Sequence, residues 1–319
     1  MHSEEPHRST EVDLSAHKQA EADFFDQTAN VRTLFGNIPA EADIRRATRS
    51  IPRMPGQPHF DPKMDQILEG SYRDRFIARV AHRPRGRVLD VCCGPGWLAL
   101  ELARHGQTVD AYDISPQAIA LAKRMLSENP YRDGFGEINY YLQDVTKVDL
   151  GVEKYDAVSG WAAFHHIPDL SDFMERVWRA LKPGGIIATM DDMPQGFIDK
   201  FLSRSLFVIL PNYYMSYSQK MKKIIGVLLG TAKISPEVFS PMEQGKGNTV
   251  HDIADIFQGE KYELLDNSHY TSFAGQMMSV RGPDILRYPA ARALVMADRA
   301  LCRLGICKGF VRIMISRKR

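Results

Sequence analysis

The sequence has few cysteines, and their spacing suits neither of their usual structural roles. The four are Cys92, Cys93, Cys302 and Cys307. An adjacent pair is a poor pattern for a disulfide or a zinc site, and Cys302 and Cys307 have no matching Cys or His pair at ligand spacing. We therefore expect four reduced thiols, no bound metal and a cytoplasmic protein.

Long apolar runs are also missing. No stretch of about 18 apolar residues occurs, so no membrane-spanning helix is predicted. Residues 1–23 lack the apolar segment of a secretory signal. The composition, with 44% hydrophobic and 25% charged residues, is ordinary for a soluble globular protein. A length of 319 residues predicts one large domain, or one domain with substantial additions.

Acidic residues are absent from one segment and scarce in another. Residues 200–233 carry six Lys/Arg and no Asp/Glu, and residues 281–319 carry ten Lys/Arg and two Asp/Glu. Their net charges are +6 and +8, so the rest of a chain with net charge +2 carries −12. Both segments are rich in apolar side chains, which argues against a nucleic-acid partner. Two interpretations stay open. These segments form a cover over an active site, or they lie in a membrane interface near anionic headgroups.

Strands and helices alternate from Arg87 onward. Five segments have strand character, namely "RVLDVCC", "TVDAYDIS", "INYYLQDV", "YDAVSGWAAF" and "IIATMDD". Helical segments of crossover length separate them, which predicts a parallel sheet with right-handed connections. Asp61 before Pro62 and Ser115 before Pro116 are predicted helix N-caps. The helix in "LSDFMERVWRALKPGG" is predicted to end at its Pro-Gly-Gly.

The alternation stops after Asp192. We expect a helical cover over residues 1–84, with a frayed start, one or two short helices and a loop around Ile51–His59. A Rossmann-like core spans 85–194. An inserted helical cover spans 195–260, helical in its first half and loop-like at "KISPEVFSPMEQGKGNT". Residues 261–319 supply the final strands of the core, around a helix in "ILRYPAARALVMADRALCRLG".

The stretch "VLDVCCGPGWLALELA" joins the first strand to its helix. Ligands of open α/β sheets lie at the carboxyl ends of the strands, and Gly94 and Gly96 allow the backbone to approach one closely. The dinucleotide pattern G-x-G-x-x-G needs a third glycine at position 99, where this chain has alanine. Asp90, which precedes the turn, instead suits a ligand that carries both an ammonium group and a carboxylate.

Two further acidic residues follow at strand ends. Asp113 ends the second strand, 17 positions after Gly96, where a carboxylate accepts both hydroxyls of a ribose. Asp144 in "LQDV" ends the third strand and is available to the exocyclic amine of adenine. An amino acid, a ribose and an adenine in this order describe S-adenosylmethionine (SAM), whose product after methyl transfer is S-adenosylhomocysteine (SAH).

These motifs together resemble the class I SAM-dependent methyltransferases over roughly residues 85–194. "VLDVCCGPG" resembles the family's glycine motif, "VDAYDIS" its ribose-binding strand and "LQDV" its adenine site. The segment "YDAVSGWAAFHHIPDLSDFMERVWRALKPGGIIATMDD" resembles its fourth and fifth strands. The resemblance implies an α/β, Rossmann-like fold. It has seven strands in the order 3-2-1-4-5-7-6, helices on both faces, and "GFVRIMISRKR" as the last, antiparallel strand.

The resemblance also implies the residues that hold SAM. Asp90, Gly94 and Gly96 would hold the methionine part, Asp113 the ribose and Asp144 the adenine. The predicted site is completed by Cys92, Ile114, Val145 and Gly160. Cys92 departs from the family pattern, in which glycine or alanine is usual. We expect it to crowd the site without abolishing binding, provided that its backbone φ is negative.

Methyl transfer needs an aligned nucleophile, and a hydroxyl nucleophile benefits from a nearby base. His165 and His166 follow the fourth strand, on the side that the fold gives to the acceptor, and are the predicted bases, with His165 favoured. The alternatives are Asp191 and Asp192, or histidines that only fix the loop. Trp161, Tyr213 and Tyr214 are predicted to line the acceptor pocket, although packing explains each of them as well.

The predicted function is methyl transfer to a small, hydrophobic acceptor, at oxygen and with histidine assistance. One alternative is carbon methylation of a lipid or quinone-like ring, which could proceed without a strong base. Another is a non-catalytic SAM-binding protein that associates with membranes.

Overall fold

The computed structural model describes residues 14–32, 51–52, 59–128, 134–192, 196–213, 215–229, 250–257, 259–270 and 272–319. Its centre is a seven-stranded sheet in the order β3-β2-β1-β4-β5-β7-β6. The strands are β1 (Arg87–Val91), β2 (Thr108–Asp113), β3 (Ile138–Leu142), β4 (Tyr155–Trp161), β5 (Leu181–Asp192), β6 (Tyr262–Tyr270) and β7 (Val311–Lys318).

The predicted strand order 3-2-1-4-5-7-6 is confirmed. Strands β1 to β5 pair in parallel, whereas β7 runs antiparallel to both β5 and β6. The central strands are buried on both faces. Val88, Leu89 and Val91 of β1 have no exposed surface, as expected for parallel strands covered by helices on each side.

Helices cover both faces of the sheet. The described helices are α1 (Ala16–Arg32), α2 (Pro62–Asp65), α3 (Ser71–Val80), α4 (Trp97–Arg104), α5 (Pro116–Glu128), α6 (Leu170–Ala180), α7 (Phe197–Ile209), α8 (Tyr217–Leu228), α9 (Val250–Phe257) and α10 (Asp284–Arg303), with a π-helical turn between α2 and α3. One hydrophobic core packs α3, α4 and α5 against the sheet. A second core packs α6 and α9 against the opposite face.

Both predicted N-caps are present. Asp61 Oδ1 accepts hydrogen bonds from the backbone N–H groups of Lys63 and Met64 at 3.1 and 3.0 Å, and Ser115 Oγ accepts one from Ala118 at 3.0 Å. The predicted end of α6 needs correction, because this helix stops at Ala180 and "LKPGG" forms the start of β5. Pro183 explains the early stop, since the residue before a proline disfavours helical backbone.

The predicted N-terminal cover and the predicted inserted cover differ in how closely the structure matches the prediction. The N-terminal part contains α1, a helix of 17 residues and so longer than the short helices expected. A two-residue ladder of Ile51–Pro52 with His59–Phe60 lies in the predicted loop. The inserted part is helical in its first half, as predicted, through α7 and α8. Its predicted loop at residues 233–249 lies outside the described residues, and the four-part division of the chain stays a prediction.

None of the helices within the described ranges combines the length and the apolar character needed to cross a bilayer.

Candidate active site

The glycine turn after β1 has the backbone geometry that its sequence predicts. Gly94 and Gly96 have φ angles of +52° and +81°, a region that glycine enters without steric cost. A Cβ on Gly96 would lie 2.5 Å from the Tyr140 hydroxyl, whereas the Cβ position of Gly94 meets no atom within 4 Å. The turn is therefore tightly packed behind Gly96 and open in front of Gly94.

Cys92 corrects the expectation for its backbone. Its φ is +51°, so the condition of a negative φ is not met, and its side chain is held in a conformation that costs an L-residue about 1–2 kcal/mol. The thiol is half-buried against the core formed by α6 and α9. Glycine or alanine is usual at this position in the family that the chain resembles, and the positive φ is a physical reason for glycine there.

Asp90 is buried at the end of β1 with an unsatisfied oxygen. The residue is 1% exposed, and no donor in the described part of the chain reaches its Oδ2. Burial, together with the nearby Asp113 carboxylate, raises the pKa of Asp90 well above its usual value. A buried carboxyl group of this kind is poised to receive a cationic ligand group.

Asp113 connects the end of β2 to the glycine turn. It accepts hydrogen bonds of 2.8 Å from the backbone N–H groups of Gly94 and Ser115. Burial raises the pKa of Asp113 in spite of these two bonds. Ile114 follows at the surface of the same turn and is half-buried.

Asp144 lies in the turn after β3 and is almost fully buried. Lys18 Nζ is 2.5 Å from its Oδ2, and Thr146 donates to its Oδ1 from both the backbone N–H and the hydroxyl. Burial acts to raise the pKa of Asp144, but the hydrogen bonds from Lys18 and Thr146 outweigh it, so the pKa is lowered. The neighbouring Val145 is buried in the core.

Gly160 lies near the end of β4, where a Cβ would come within 2.8 Å of the Phe164 ring. The glycine therefore allows the loop with the two histidines to pack closely on the strand. The structure thus brings the predicted cofactor residues to the carboxyl ends of β1 to β4, although their contacts with a ligand stay a prediction.

The sequence analysis missed the contribution of α1. Lys18 binds Asp144, and Glu21 Oε1 lies 2.8 Å from His166 Nδ1. Asp26 accepts hydrogen bonds from Ser115 and from the backbone N–H of Gln117, at the N-terminus of α5. The sequence held a signal for this helix, because Lys18, Glu21 and Phe25 recur at helical spacing along one face.

The two predicted bases have different partners. His165 Nδ1 lies 2.7 Å from Asp191 Oδ1, and the fully buried Asp191 also accepts a hydrogen bond from the Thr189 hydroxyl. His166 instead contacts Glu21 and packs edge-on against the ring of Phe25. Asp191, an alternative base in the sequence analysis, is placed to orient His165. The side chain of Asp192 lies outside the described residues.

The three predicted acceptor-pocket residues have different surroundings. Trp161 packs edge-on against Phe76 and Trp97, with ring centroids 5.2 and 4.9 Å apart, in line with its alternative interpretation as a packing residue. Tyr213 is 46% exposed, and its hydroxyl accepts a hydrogen bond from Arg287. Tyr214 lies outside the described residues. The role of each in acceptor binding stays a prediction.

The residues present fit SAM. The unsatisfied Asp90 oxygen matches the ammonium group of a methionine moiety, and the open space in front of Gly94 leaves room for the ligand. Residues 88–185 match the family model for a methyltransferase domain. This match and the methyltransferases among its relatives support a class I SAM-dependent methyltransferase.

Relatives of this methyltransferase include enzymes of two reaction types. It is 24% identical over 216 residues to the ubiquinone/menaquinone biosynthesis C-methyltransferase of Geotalea daltonii, covering 61% of this chain and 86% of the relative. It is 34% identical over 129 residues to the ubiquinone biosynthesis O-methyltransferase of Xanthomonas campestris pv. campestris, covering 39% and 51%. In the second case the chain matches only about half of the relative's length.

Among solved structures, the methyltransferase is similar to the crystal structure of the 4+2 cyclase SpnF. The TM-score is 0.52 and the identity 14%, with 96% of this chain and 97% of the other covered. At this identity the likeness concerns the fold alone.

Proposed function

We propose that the chain transfers the methyl group of SAM to a hydroxyl oxygen on a small, hydrophobic, quinone-like acceptor, with His165 as the general base. The observation that carries the proposal is the contact between His165 and Asp191 at the carboxyl ends of β4 and β5. This edge of the sheet is where open α/β folds bind their ligands.

The chemistry of His165 follows from its partner. The carboxylate of Asp191 accepts a hydrogen bond from Nδ1–H, which fixes the tautomer whose Nε2 can take a proton. When Nε2 takes the hydroxyl proton of the acceptor, the buried carboxylate stabilises the imidazolium that forms. General-base assistance of this kind contributes about 10²- to 10⁴-fold to a rate.

The other site residues would hold the cofactor. Asp90 would bind its ammonium group, Asp113 its ribose and Asp144 its adenine, with Gly94 leaving room for the chain of atoms between them. When bound, SAM supplies a methyl group on a positively charged sulfur. The protein's own contribution is to align the hydroxyl with that methyl and to remove the proton.

A hydrophobic acceptor is supported by the surface of α7 and α8. Several apolar side chains there expose between 49% and 84% of their surface, namely Phe197, Phe201, Ile209, Tyr217, Met221 and Ile225. Lys200, Arg204 and Lys222 are exposed on the same two helices. We call this the α7–α8 surface and propose that it contacts a membrane or a membrane-dissolved acceptor, because apolar and cationic side chains together favour anionic lipid interfaces.

Carbon methylation is the second candidate. It is supported by the relative from Geotalea daltonii, whose name gives a C-methyltransferase and of which the match covers 86%. In such a reaction His165 could position the acceptor hydroxyl without being needed as a strong base.

The deciding experiment uses SAM with an isotopically labelled methyl group. The protein is incubated with a catechol-type or hydroxyquinone acceptor that offers both a hydroxyl and a ring carbon, and the product is analysed by NMR. A methoxy signal and a loss of turnover in His165→Gln support the proposal. His82→Gln is the matched control, because His82 precedes β1 and so lies at the amino-terminal ends of the strands, away from His165.

A ring-methyl signal, or an unchanged rate in His165→Gln, would contradict base-assisted O-methylation. Separating aqueous and organic phases after incubation with a host extract tests the hydrophobic acceptor. Label in the organic phase supports it, and label confined to the aqueous phase points to a polar metabolite.

A further inference from the structure

A cleft of about 750 Å³ lies outside the site described above. It is formed between α3, β6, the end of α10 and the segment that leads into β7. Six of its lining residues are basic, namely Arg75, His269, Arg299, Arg303, Lys308 and Arg312. None of its lining residues within the described ranges is acidic, so the surface of the cleft is strongly cationic.

Arg312 of β7 is the most buried of these cations. It is only 7% exposed, and no carboxylate of the described residues forms an ion pair with it. Its Nε donates to Asn267 Oδ1 at 2.8 Å. Burial lowers the pKa of Arg312, which the more distant Asp255 only partly offsets. A buried guanidinium without an ion-pair partner is costly, and an anion in the cleft would supply that partner.

Arg299 of α10 is held in place by its neighbours and keeps an N–H donor that bonds to no described residue. Its Nη2 donates to Ser71 Oγ at 2.6 Å, and its guanidinium lies over the Tyr72 ring. Its Nε is buried and has no hydrogen-bond partner among the described residues. These contacts fix the guanidinium at the wall of the cleft, so that little side-chain freedom remains to be lost on binding.

The nearby carboxylates are engaged elsewhere. Asp266 Oδ2 lies 3.0 Å from Arg75 Nε, and among the described cations of the cleft it forms an ion pair only with Arg75. Asp298 accepts hydrogen bonds from the backbone of Ser272, Phe273 and Ala274. Asp199 accepts from the backbone of Lys308 and Gly309. The charges of Arg299, Arg303, Lys308 and Arg312 are therefore not balanced by ion pairs within the described residues.

We propose that this cleft binds a phosphate group, with Arg299, Arg303 and Arg312 as its principal ligands. Guanidinium groups present several N–H donors in a planar fork, which matches the oxygens of a phosphate better than a single ammonium does. His269 is not one of the phosphate ligands, because its Nδ1–H donates to the Lys308 carbonyl at 2.7 Å, and burial lowers its pKa and so keeps Nε2 an acceptor. The volume is in the range of small-molecule sites.

No described residue of the methyl-transfer site lines the cleft, but the two sites are neighbours at Arg312, which is the register partner of Asp191 in the β5–β7 ladder. The cofactor residues that follow β1 lie farther away, since three strands lie between β1 and β6, which corresponds to about 19 Å at the usual strand spacing. The cleft also adjoins the α7–α8 surface, because Lys308 Cγ lies 3.4 Å from the Cβ position of Gly196, just before α7. The phosphate could therefore belong to a lipid headgroup or to a soluble phosphate ester.

The test measures phosphate binding by the full chain at constant ionic strength. Inorganic phosphate and glycerol 3-phosphate are titrated by calorimetry, and we expect saturable binding to one site. Arg303 is exposed, so we expect Arg303→Gln to keep the fold. This variant should weaken the phosphate affinity about tenfold, and Arg312→Gln should weaken it further. Arg292→Gln is the matched control, because Arg292 is exposed on α10 but does not line the cleft.

Two arms separate the sources of phosphate. Flotation with phosphatidylglycerol vesicles that is lost in Arg303→Gln, but not in Arg292→Gln, assigns the site to a lipid headgroup. Saturable binding of glycerol 3-phosphate without vesicle binding assigns it to a soluble ester. If no probe binds saturably, or if Arg292→Gln weakens binding as much as Arg303→Gln, the proposal is wrong.

The outcome is independent of the proposed methyl transfer. SAH affinity is measured in parallel and should be unchanged in Arg303→Gln. If phosphate binds as described and no acceptor is methylated at oxygen, only the proposed function fails.

Discussion

Lys18 Nζ of α1 lies 2.5 Å from Asp144 Oδ2 in the turn after β3. The two residues are 126 positions apart in the chain, and both are largely buried. With Glu21 against His166 and Asp26 on the N-terminus of α5, this ion pair holds α1 over Asp144, the residue proposed to bind adenine, and beside the histidine loop. In the proposed cofactor placement, SAM would enter and leave past α1.

Loosening α1 should speed cofactor release. We expect Lys18→Ala combined with Asp26→Ala to raise the SAH dissociation rate about tenfold or more, because two hydrogen-bonded contacts, each worth roughly 1 kcal/mol, are lost. Stopped-flow fluorescence with the native tryptophans measures this rate. Gln19→Ala, on the exposed side of α1, should leave it unchanged. Equal dissociation rates in all three proteins would show that α1 does not control release.

Removing the partner of His165 should impair catalysis while binding is retained. In Asp191→Asn the imidazole loses its carboxylate, so we expect kcat to fall by about 10²-fold or more with SAH affinity within twofold of the wild type. Steady-state kinetics and calorimetry measure the two quantities. Asp169→Asn at the N-cap of α6 tests whether a general loosening of this loop has the same effect. A matching fall in kcat there would argue against a role specific to Asp191.

The raised pKa of Asp90 predicts a particular dependence of binding on pH. The ligand ammonium favours the ionised carboxylate, so SAH affinity should rise as pH rises through the pKa of Asp90 and then level off. Asp90→Asn should bind SAH at least tenfold more weakly at high pH and lose this dependence. Calorimetry at several pH values tests both statements. An affinity that falls with rising pH over this range would contradict the assignment.

The same carboxyl group should affect the stability of the ligand-free protein with a defined sign. The folded-state pKa of Asp90 lies above its unfolded value near 3.9, so its contribution is fully present below that value and is lost as pH rises through the folded pKa. Asp156 is the opposite case. Burial raises its pKa, but hydrogen bonds from Lys182 and the Arg87 backbone outweigh this and lower it, so its contribution is lost as pH falls. Denaturant unfolding at several pH values measures the free energy of unfolding. Relative to the wild type, the slope of this free energy against pH should increase in Asp90→Asn and decrease in Asp156→Asn.

The positive φ of Cys92 can be tested by a series at one position. Cys92→Ala removes the thiol and keeps the backbone preference of an L-residue, so comparison with Cys92→Gly isolates the cost of the conformation. We expect the glycine variant to equal or exceed the alanine variant in stability, by up to about 1 kcal/mol. Cys92→Val should be the least stable, because a β-branched residue rarely adopts positive φ. Chemical denaturation ranks the three variants, and a valine variant as stable as glycine would refute the strain.

The strand order, the helix caps at Asp61 and Ser115 and the placement of the proposed cofactor residues at the strand ends could be predicted from the sequence, while the binding roles of those residues stay a prediction. These features follow from local patterns of apolar residues, prolines and glycines, and from the resemblance of four motifs in the right order. The backbone of Cys92 was predicted wrongly, because an L-residue normally keeps φ negative, although the family's usual glycine at this position pointed to the positive φ that the structure shows.

The partners of the two histidines were also beyond the sequence. His165 and His166 are adjacent and chemically identical, so no local pattern assigns Asp191 to one and Glu21 to the other. That assignment depends on the depth of β5 in the sheet and on the docking of α1, both of which are long-range features. The basic cleft was visible only as an excess of Lys/Arg in residues 281–319, since its other wall comes from α3 and β6.

The position of β7 has a consequence for synthesis of the chain. This strand lies between β5 and β6, yet Val311 follows Asp192 by 119 positions. While the ribosome makes the segment between them, β5 presents an unpaired edge of backbone donors and acceptors, which is a template for association with other chains. The nascent chain therefore depends on β7 for protection of this edge, and a product that stops within α10 would leave the edge of β5 unpaired.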